Sequence, residues 1–384
     1  NTDKINSSNP CVTGDTLVAT AEGLRRIDSM TGETPRIVGL DGELHDATRV
    51  IETGTKPVYR LRTKSGYTIT LTADHPVWTE NRGDVPAAKL TEDDVVKLMQ
   101  PRFGSETLDA DIAEYVGLML GDGCISGDVA TLTMDKQHEV PVAEKAASVV
   151  NGFDRQRSSV AVTERDTSTA VATAAGSVRD LLNQYVVLDE GSTAKRLTDE
   201  AFRLDRESTA ALLSGLFTAD GTVVDHEDKS QYVGLDSTSE ELLEQVQTLL
   251  LSFGIKSKLY RNRRLTSRAL LPDGNGGLKE YDVQQTHSLR ITRSSRVRFE
   301  EEIGFMGESR KSAALQALNE RVGTYRDRMT DRVAEQELLG EETVYDLTEP
   351  DTDHFVANGV AVHNCSEYMF LDNSACNLAS LNLR

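Results

Sequence analysis

Cysteine, long apolar runs and positive charge are all in short supply in this chain. Only four cysteines, Cys11, Cys124, Cys365 and Cys376, occur among its 384 residues. They form no C-x-x-C pair and no zinc spacing, which excludes a disulfide scaffold or a structural zinc module. Scattered thiols of this kind suit a reducing compartment. No apolar run reaches 18 residues, so no transmembrane helix is expected. Residues 1–10 contain no apolar core of the sort a signal peptide needs, and the expected location is the cytoplasm. Lys and Arg number 42 against 62 Asp and Glu, a net charge of −20. Taken alone, that balance argues against nucleic-acid binding. It suits a protein working in molar salt, where ions screen an acidic surface; an acidic mesophilic protein is the other reading.

The length calls for two or three domains, and 38% hydrophobic residues are enough for globular cores. From Cys11 to about Gln100 short strands are predicted, among them Thr16–Thr20, Arg36–Leu40, Pro57–Leu61 and Tyr67–Leu71, with turns at Asp41-Gly42 and Ser65-Gly66. The same style returns near the end: strands at Thr343–Thr348 and His354–Ala357, then an Asn358-Gly359 hairpin turn. The pattern is one β domain interrupted by an insertion. The expected parts are a flank 1–10, a β part 11–104, an insertion 105–335, a second β part 336–364 and a flank 365–384.

The two ends of segment 11–364 carry the chemistry. The Cys11 thiol can attack the carbonyl of Pro10 through a five-membered ring and convert the amide to a thioester. A fold that does this must distort or polarise the bond. In Thr72-Ala73-Asp74-His75 the Thr72 hydroxyl can bond nearby, and His75 can donate a proton to the departing Cys11 nitrogen. Cys365 can take over the acyl group. Asn364 can then cyclise on its own carbonyl, with His363 beside it to polarise that carbonyl or protonate the leaving amine. These residues resemble those of inteins: Cys11-Val12-Thr13-Gly14-Asp15-Thr16, Thr72-x-x-His75, Val344-Tyr345-Asp346-Leu347 with His354-Phe355-Val356-Ala357, and His363-Asn364-Cys365. The resemblance implies a mainly β, horseshoe-like Hint (Hedgehog/intein) splicing domain and autocatalytic splicing without a cofactor. It also implies that Asp346 helps position Cys365 and that His354 belongs to the site. A Cys-His thiol hydrolase is the enzymatic competitor, but it has no use for adjacent Asn364 and Cys365.

The insertion contains a repeat. Glu114-Tyr115-Val116-Gly117-Leu118-Met119-Leu120-Gly121-Asp122-Gly123 is matched by Leu212-Leu213-Ser214-Gly215-Leu216-Phe217-Thr218-Ala219-Asp220-Gly221. Each copy is a helix with small residues four apart, ending in Asp-Gly. A hairpin follows each, then a longer helix (Val142–Val150 and Glu240–Phe253). The copies resemble the LAGLIDADG homing endonucleases. That implies an α/β pseudo-twofold domain in which Asp122 and Asp220 meet and hold Mg²⁺ against a scissile phosphate. Lys195 is the candidate assisting base, and Cys124 is read as packing. Six cations and no acid occupy 256–268: Lys256, Lys258, Arg261, Arg263, Arg264 and Arg268. Arg290, Arg293, Arg296 and Arg298 follow. In so acidic a chain this cluster is read as the DNA-contacting surface, with sparser cations in the first half at Arg155, Arg157 and Arg165. The partner implied is double-stranded DNA at the uninterrupted host gene, and the chain is expected to act as a monomer.

Joining the flanks would give Asn9-Pro10-Cys365-Ser366-Glu367, continuing to Ser374-Ala375-Cys376-Asn377-Leu378. This resembles the active-site region of ribonucleotide reductases, most closely the adenosylcobalamin-dependent class. It implies a host active site of Asn9, Cys365 and Glu367. Two alternatives are a splicing-only segment with a decayed endonuclease and a DNA-binding protein that does not process itself.

Overall fold

The computed structural model describes residues 10–135, 140–153, 160–226, 230–263, 268–272, 278–282, 284–321, 323 and 326–364. Asn9, Arg155, Arg157, Arg264, Cys365, Glu367 and Cys376 lie outside these.

Both ends of the described chain enter one 13-stranded sheet. Strand β1 (Val12–Thr13) lies antiparallel between β3 (Thr68–Thr72) and β4 (Thr330–Asp346), with Val12 opposite both Leu71 and Tyr345. Strand β2 (Ile51–Thr63) pairs with β3 and along most of β4. The last two strands, β5 (His354–Ala357) and β6 (Val360–His363), form a hairpin. This hairpin is threaded between Leu17–Thr20 and Pro76–Thr79. Its turn residues Asn358 and Gly359 have φ of 47° and 77°, the left-handed pair that a tight hairpin requires. Strand β4 extends back to Thr330, where the sequence reading expected a short strand from Thr343 and a boundary at 336. The exposed residues of β4 lie mostly between Glu335 and Thr343, and its first inward position is Asp331, so no apolar alternation marks the start of the strand.

The insertion is built from two like halves. Helix α1 (Ala110–Asp122) is capped by Asp109, which accepts from the amides of Asp111 and Ile112; helix α2 (Arg206–Asp220) is capped by Asp205, which accepts from Ser208 N. The two helices touch backbone to backbone. A Cβ on Gly117 would lie 1.9 Å from Leu212 O, and one on Gly215 2.1 Å from Glu114 O. No other residue fits there. Each helix runs straight into a hairpin, Gly123–Ser126 with Val129–Asp135 and Gly221–Asp225 with Gln231–Ser237. Each hairpin belongs to a four-stranded sheet. In the second sheet Val233, Leu235, Leu259, Leu289 and Ile291 face the core, and the alternate residues Tyr232, Lys258, Tyr260 and Arg290 face out. The expected architecture, a mainly β unit with an inserted α/β pseudo-twofold unit, is the one observed.

The two units share a core. Helix α3 (Glu240–Ser252) puts Leu251, fully buried, into the β unit's cluster with Val77, Phe355 and Val360. A Cβ on Gly359 would lie 2.4 Å from Leu251 Cδ1. Leu259 N and Gln247 Nε2 both donate to Ser65 O (2.9 and 3.0 Å), and Ser257 N donates to Tyr67 Oη at 3.2 Å.

Candidate functional site

The first candidate site lies where β1, β2, β4 and the turn after β3 meet. Cys11 is fully buried. Its amide donates to Thr72 Oγ1 at 3.1 Å, and its carbonyl accepts from Thr72 N at 2.9 Å. Burial pushes the thiol pKa up; the Thr53 hydroxyl pulls it down, the Asp346 charge raises it, and Lys56 lowers it. His75 is buried and pulled down to about 4 by desolvation. Neither of its ring nitrogens has a hydrogen-bond partner of good geometry. The main chains of both Cys11 and His363 nevertheless lie near enough to favour its charged form slightly. His75 lies between Thr72, which bonds Cys11, and Pro76–Thr79, whose Val77 stands opposite Val362 on β6, so it sits between both ends of the 11–364 segment.

At the other end Asn364 is buried. Its amide N donates to Asp353 O at 2.9 Å, and its side-chain Nδ2 donates to Glu349 O at 2.5 Å, while Oδ1 is buried without a partner. His363 Nδ1 lies 2.5 Å from Asn364 O, so this nitrogen must carry the proton. His354 is held from both sides, by Thr352 O at 2.6 Å and by Asp84 Oδ1 at 2.9 Å. Asp84 Oδ2 lies 4.0 Å from His363 Nε2, and the two imidazole rings are 4.8 Å apart. Of the residues expected here, Cys11, Thr72, His75, Asp346, His354, His363 and Asn364 are thus gathered at one end of the sheet. Thr53, Lys56, Asp84 and the Glu349 carbonyl were missed.

The second candidate site lies at the C-terminal ends of α1 and α2. Burial raises the Asp220 pKa, against the Lys195 and Lys311 charges and a hydrogen bond shared with Asp122. Lys195 Nζ donates to Leu120 O at 2.9 Å and to Gly121 O. Desolvation lowers its pKa, and the Asp220 and Asp122 charges oppose that shift. Lys311 does the same for the other helix, donating to Thr218 O at 2.5 Å and Ala219 O at 3.2 Å. Lys311 is the pseudo-twofold counterpart of Lys195. The internal repeat was the signal that could have revealed it. Two carboxylates with flanking carbonyls form a hard-oxygen donor set, which fits Mg²⁺.

The basic cluster does not act as one surface. On the outer face of the second sheet Arg290 lies 4.3 Å over the Tyr232 ring and 4.7 Å over Tyr260, with Lys258 and Arg263 also over Tyr260. Arg268 is exposed on its own strand. Arg293 opens a helix with a left-handed φ of 52°. Three expected contacts point elsewhere. Arg261 is ion-paired with Glu240 and Glu244 and donates to Gly66 O, between the two units. Lys256 Nζ donates to Thr330 O at 2.5 Å beside Asp331. Arg296 is buried against Asn319 Oδ1 and Leu318 O. In each case a neighbouring acid or carbonyl claims the cation. Cys124, expected in packing, is exposed.

Residues 207–304 match the family model of the LAGLIDADG-like domain. The chain is 27% identical over 429 residues to the ribonucleoside-diphosphate reductase NrdEB subunit alpha of Bacillus subtilis, covering 99% of this chain and 39% of that protein. It is 30% identical over 330 residues to protein RecA of Mycobacterium bovis, covering 78% of this chain and 40% of that one. The chain thus spans about two fifths of the length of these curated relatives. A solved mutant of the Ssp DnaB mini-intein overlaps it at 13% identity and a TM-score of 0.32, over 93% of this chain and 99% of that one. Among the described residues no helix is long and apolar enough to cross a membrane.

Proposed function

We propose that this chain excises segment 11–364 from itself and ligates its flanks, and that the excised segment cuts DNA. The observation that carries the first part is His75, buried between Thr72, which bonds both main-chain groups of Cys11, and Pro76–Thr79, which pairs with β6 beside His363 and Asn364. Cys11 makes the thioester, Cys365 takes the acyl group, and Asp346 positions Cys365. Asn364 Nδ2, held by Glu349 O, then attacks its own carbonyl carbon, with His363 donating to the oxygen; the bond to the Cys365 nitrogen breaks, and that freed amine takes the acyl group from the Cys365 sulfur to form the new peptide bond. His354 and Asp84 hold the His363 ring. The two relatives support the reading. A reductase subunit and RecA bear unlike names yet share most of this segment, and the reductase match covers 99% of the chain, leaving almost none of either flank out. The reductase relative supports a reductase host; that its cofactor is adenosylcobalamin and its site Asn9, Cys365 and Glu367 rests on the resemblance of the flanking residues alone.

Asp122 and Asp220 would hold Mg²⁺, which when bound supplies charge against a scissile phosphate. Lys195 and Lys311 offset the carboxylate charge and orient the helix ends. Lys258, Arg263, Arg268, Arg290 and Arg293 would meet double-stranded DNA. The excess of acid is read as salt adaptation, and the scattered thiols as a reducing, cytoplasmic setting.

The test is the mass of freshly expressed chain beside Cys11→Ala. Splicing gives segment 11–364 and a ligated peptide of 30 residues, 10 from residues 1–10 plus 20 from residues 365–384. A wild-type chain that stays at full mass removes the reading.

A further inference from the structure

We infer that Lys56 holds the Cys11 sulfur as a thiolate for attack on Pro10, with Thr53 as the group that first receives its proton contact. This rests on the self-splicing reading above. Lys56 Nζ lies 3.3 Å from Cys11 Sγ, and Thr53 Oγ1 lies 3.0 Å from it. Both come from β2, and the strand is shaped to aim them. Between β2 and β4 the register slips: Glu52 faces Tyr345 and Gly54 faces Val344, which leaves Thr53 as the extra residue of a bulge. Gly54 absorbs the distortion with φ of +98°. Bulges turn a side chain out of the strand's regular alternation. Beyond the bulge alternation resumes, so Lys56 shares a face with Val58, and Val58 packs on Cys11 and Val344.

The hydrogen bonds assign the two roles. Thr53 Oγ1 donates to Val344 O at 3.1 Å. While that bond is made, Thr53 can only accept from the Cys11 S–H; turned to the sulfur instead, the same proton stabilises the thiolate, which is the sense in which Thr53 lowers the thiol pKa. Once the thiol proton has passed to water, the sulfur needs a donor, and the Lys56 ammonium supplies one with a full charge. The charged groups acting on the sulfur are Lys56 from β2 and Asp346 from β4, while His75, on the turn after β3, follows Thr72, which bonds the Cys11 main chain. Asp346 opposes the thiolate, so the cation is needed. The sulfur then bonds to the Pro10 carbonyl carbon and the bond to the Cys11 nitrogen breaks. That nitrogen takes up one proton from water, relayed through the His75 imidazole. One proton leaves and one returns, so the step needs no co-reactant beyond water. Direct contact also keeps the pair effective in concentrated salt, where longer-range attraction is screened.

The experiment uses the full chain with Asn364→Ala and Cys365→Ala, in which only the first thioester can form. Hydroxylamine cleavage between Pro10 and Cys11 is followed by mass spectrometry across pH. Lys56→Met is expected to slow cleavage near neutral pH on the order of tenfold and to move the rising limb of the profile up by about one pH unit. Lys56→Arg should restore most of the rate. Lys56→Gln keeps a polar hydrogen-bond donor on a side chain one atom shorter and removes the charge, so it decides the matter if Lys56→Met does not fold. An unchanged rate and profile in the neutral variants overturns the role of Lys56. A parent chain that yields no hydroxylamine-sensitive bond overturns the self-splicing reading, and this inference with it.

Discussion

Leu251 belongs to the insertion yet fills the β unit, and truncating it should damage one chemical step more than the other. The side chain is fully buried and lies against the Gly359 turn that carries β6 to His363 and Asn364. Leu251→Ala removes three carbons from a site walled by Val77, Phe355 and Val360. A fully buried leucine loses about 2–5 kcal/mol on such a change, against a total stability of roughly 5–15 kcal/mol. Part of that loss falls on the docking of the β5–β6 hairpin. About 1.4 kcal/mol there means tenfold less docked hairpin relative to undocked. Cys11, Thr72 and Thr53 lie on β1–β3 and keep their contacts. The Leu251→Ala chain should therefore still form the thioester while Asn364 cyclisation slows. Branched or thiol-cleavable species would accumulate, read by mass spectrometry with and without dithiothreitol. Leu182→Ala, a fully buried change in the insertion's own core, is the control of similar stability cost. Equal slowing of cyclisation by both variants, or none by Leu251→Ala, would refute the shared-core argument.

Four further outcomes are expected. Asp122→Asn or Asp220→Asn should abolish cleavage of the uninterrupted host gene while leaving splicing yield near wild type, because the two sites share no residues; a splicing defect in either would contradict this. Lys311→Met should depress DNA cleavage as far as Lys195→Met does, and a normal rate for either variant breaks the pseudo-twofold assignment. Splicing yield should rise from low salt into the molar range, where charges are screened within about 3 Å, while DNA affinity falls; a splicing yield that is flat or falls with KCl removes the salt adaptation. The last concerns His75, held neutral in the fold with its pKa down at about 4 against an ordinary 6.5. The unfolded chain takes up this proton first, so the stability is complete above about pH 6.5 and is lost as pH falls towards about 4, roughly 3 kcal/mol in all. Urea unfolding should show wild type losing more than His75→Asn across that window, and an equal loss in both would contradict the burial argument.

The splicing residues were legible because their chemistry depends on neighbours in sequence. In the proposed steps Cys11 acts on Pro10, and Asn364 acts on its own carbonyl beside His363. The helix pair was legible too, since Gly117 and Gly215 recur in matched settings. Thr53 and Lys56 were not, because a register slip aims Thr53 and no sequence period reports a bulge. Asp84 was hidden for another reason: it meets His354 only because Gly83–Pro86 pairs with Pro76–Thr79, which pairs with β6. The basic run misled in part, since clustering in sequence says nothing of which neighbour takes each cation. Lys258 and Arg290 stand opposite each other on adjacent strands and face out, whereas Arg261 turns back to Glu240 and Glu244.

The contact between α1 and α2 is made of main-chain atoms, and this separates what can vary from what cannot. Gly117 faces Leu212 O and Gly215 faces Glu114 O, so the spacing of Asp122 and Asp220 is set by peptide groups that every residue possesses. Side chains on the outer faces of the two sheets have no part in that spacing. Tyr232, Lys258, Tyr260 and Arg290 can be exchanged one at a time without moving the carboxylates. On the proposed DNA-cutting function, a lineage could thus drift from one nucleotide sequence to another through viable intermediates, with the Asp122–Asp220 pair unchanged throughout. The same arrangement makes the two glycines the positions at which such drift must stop.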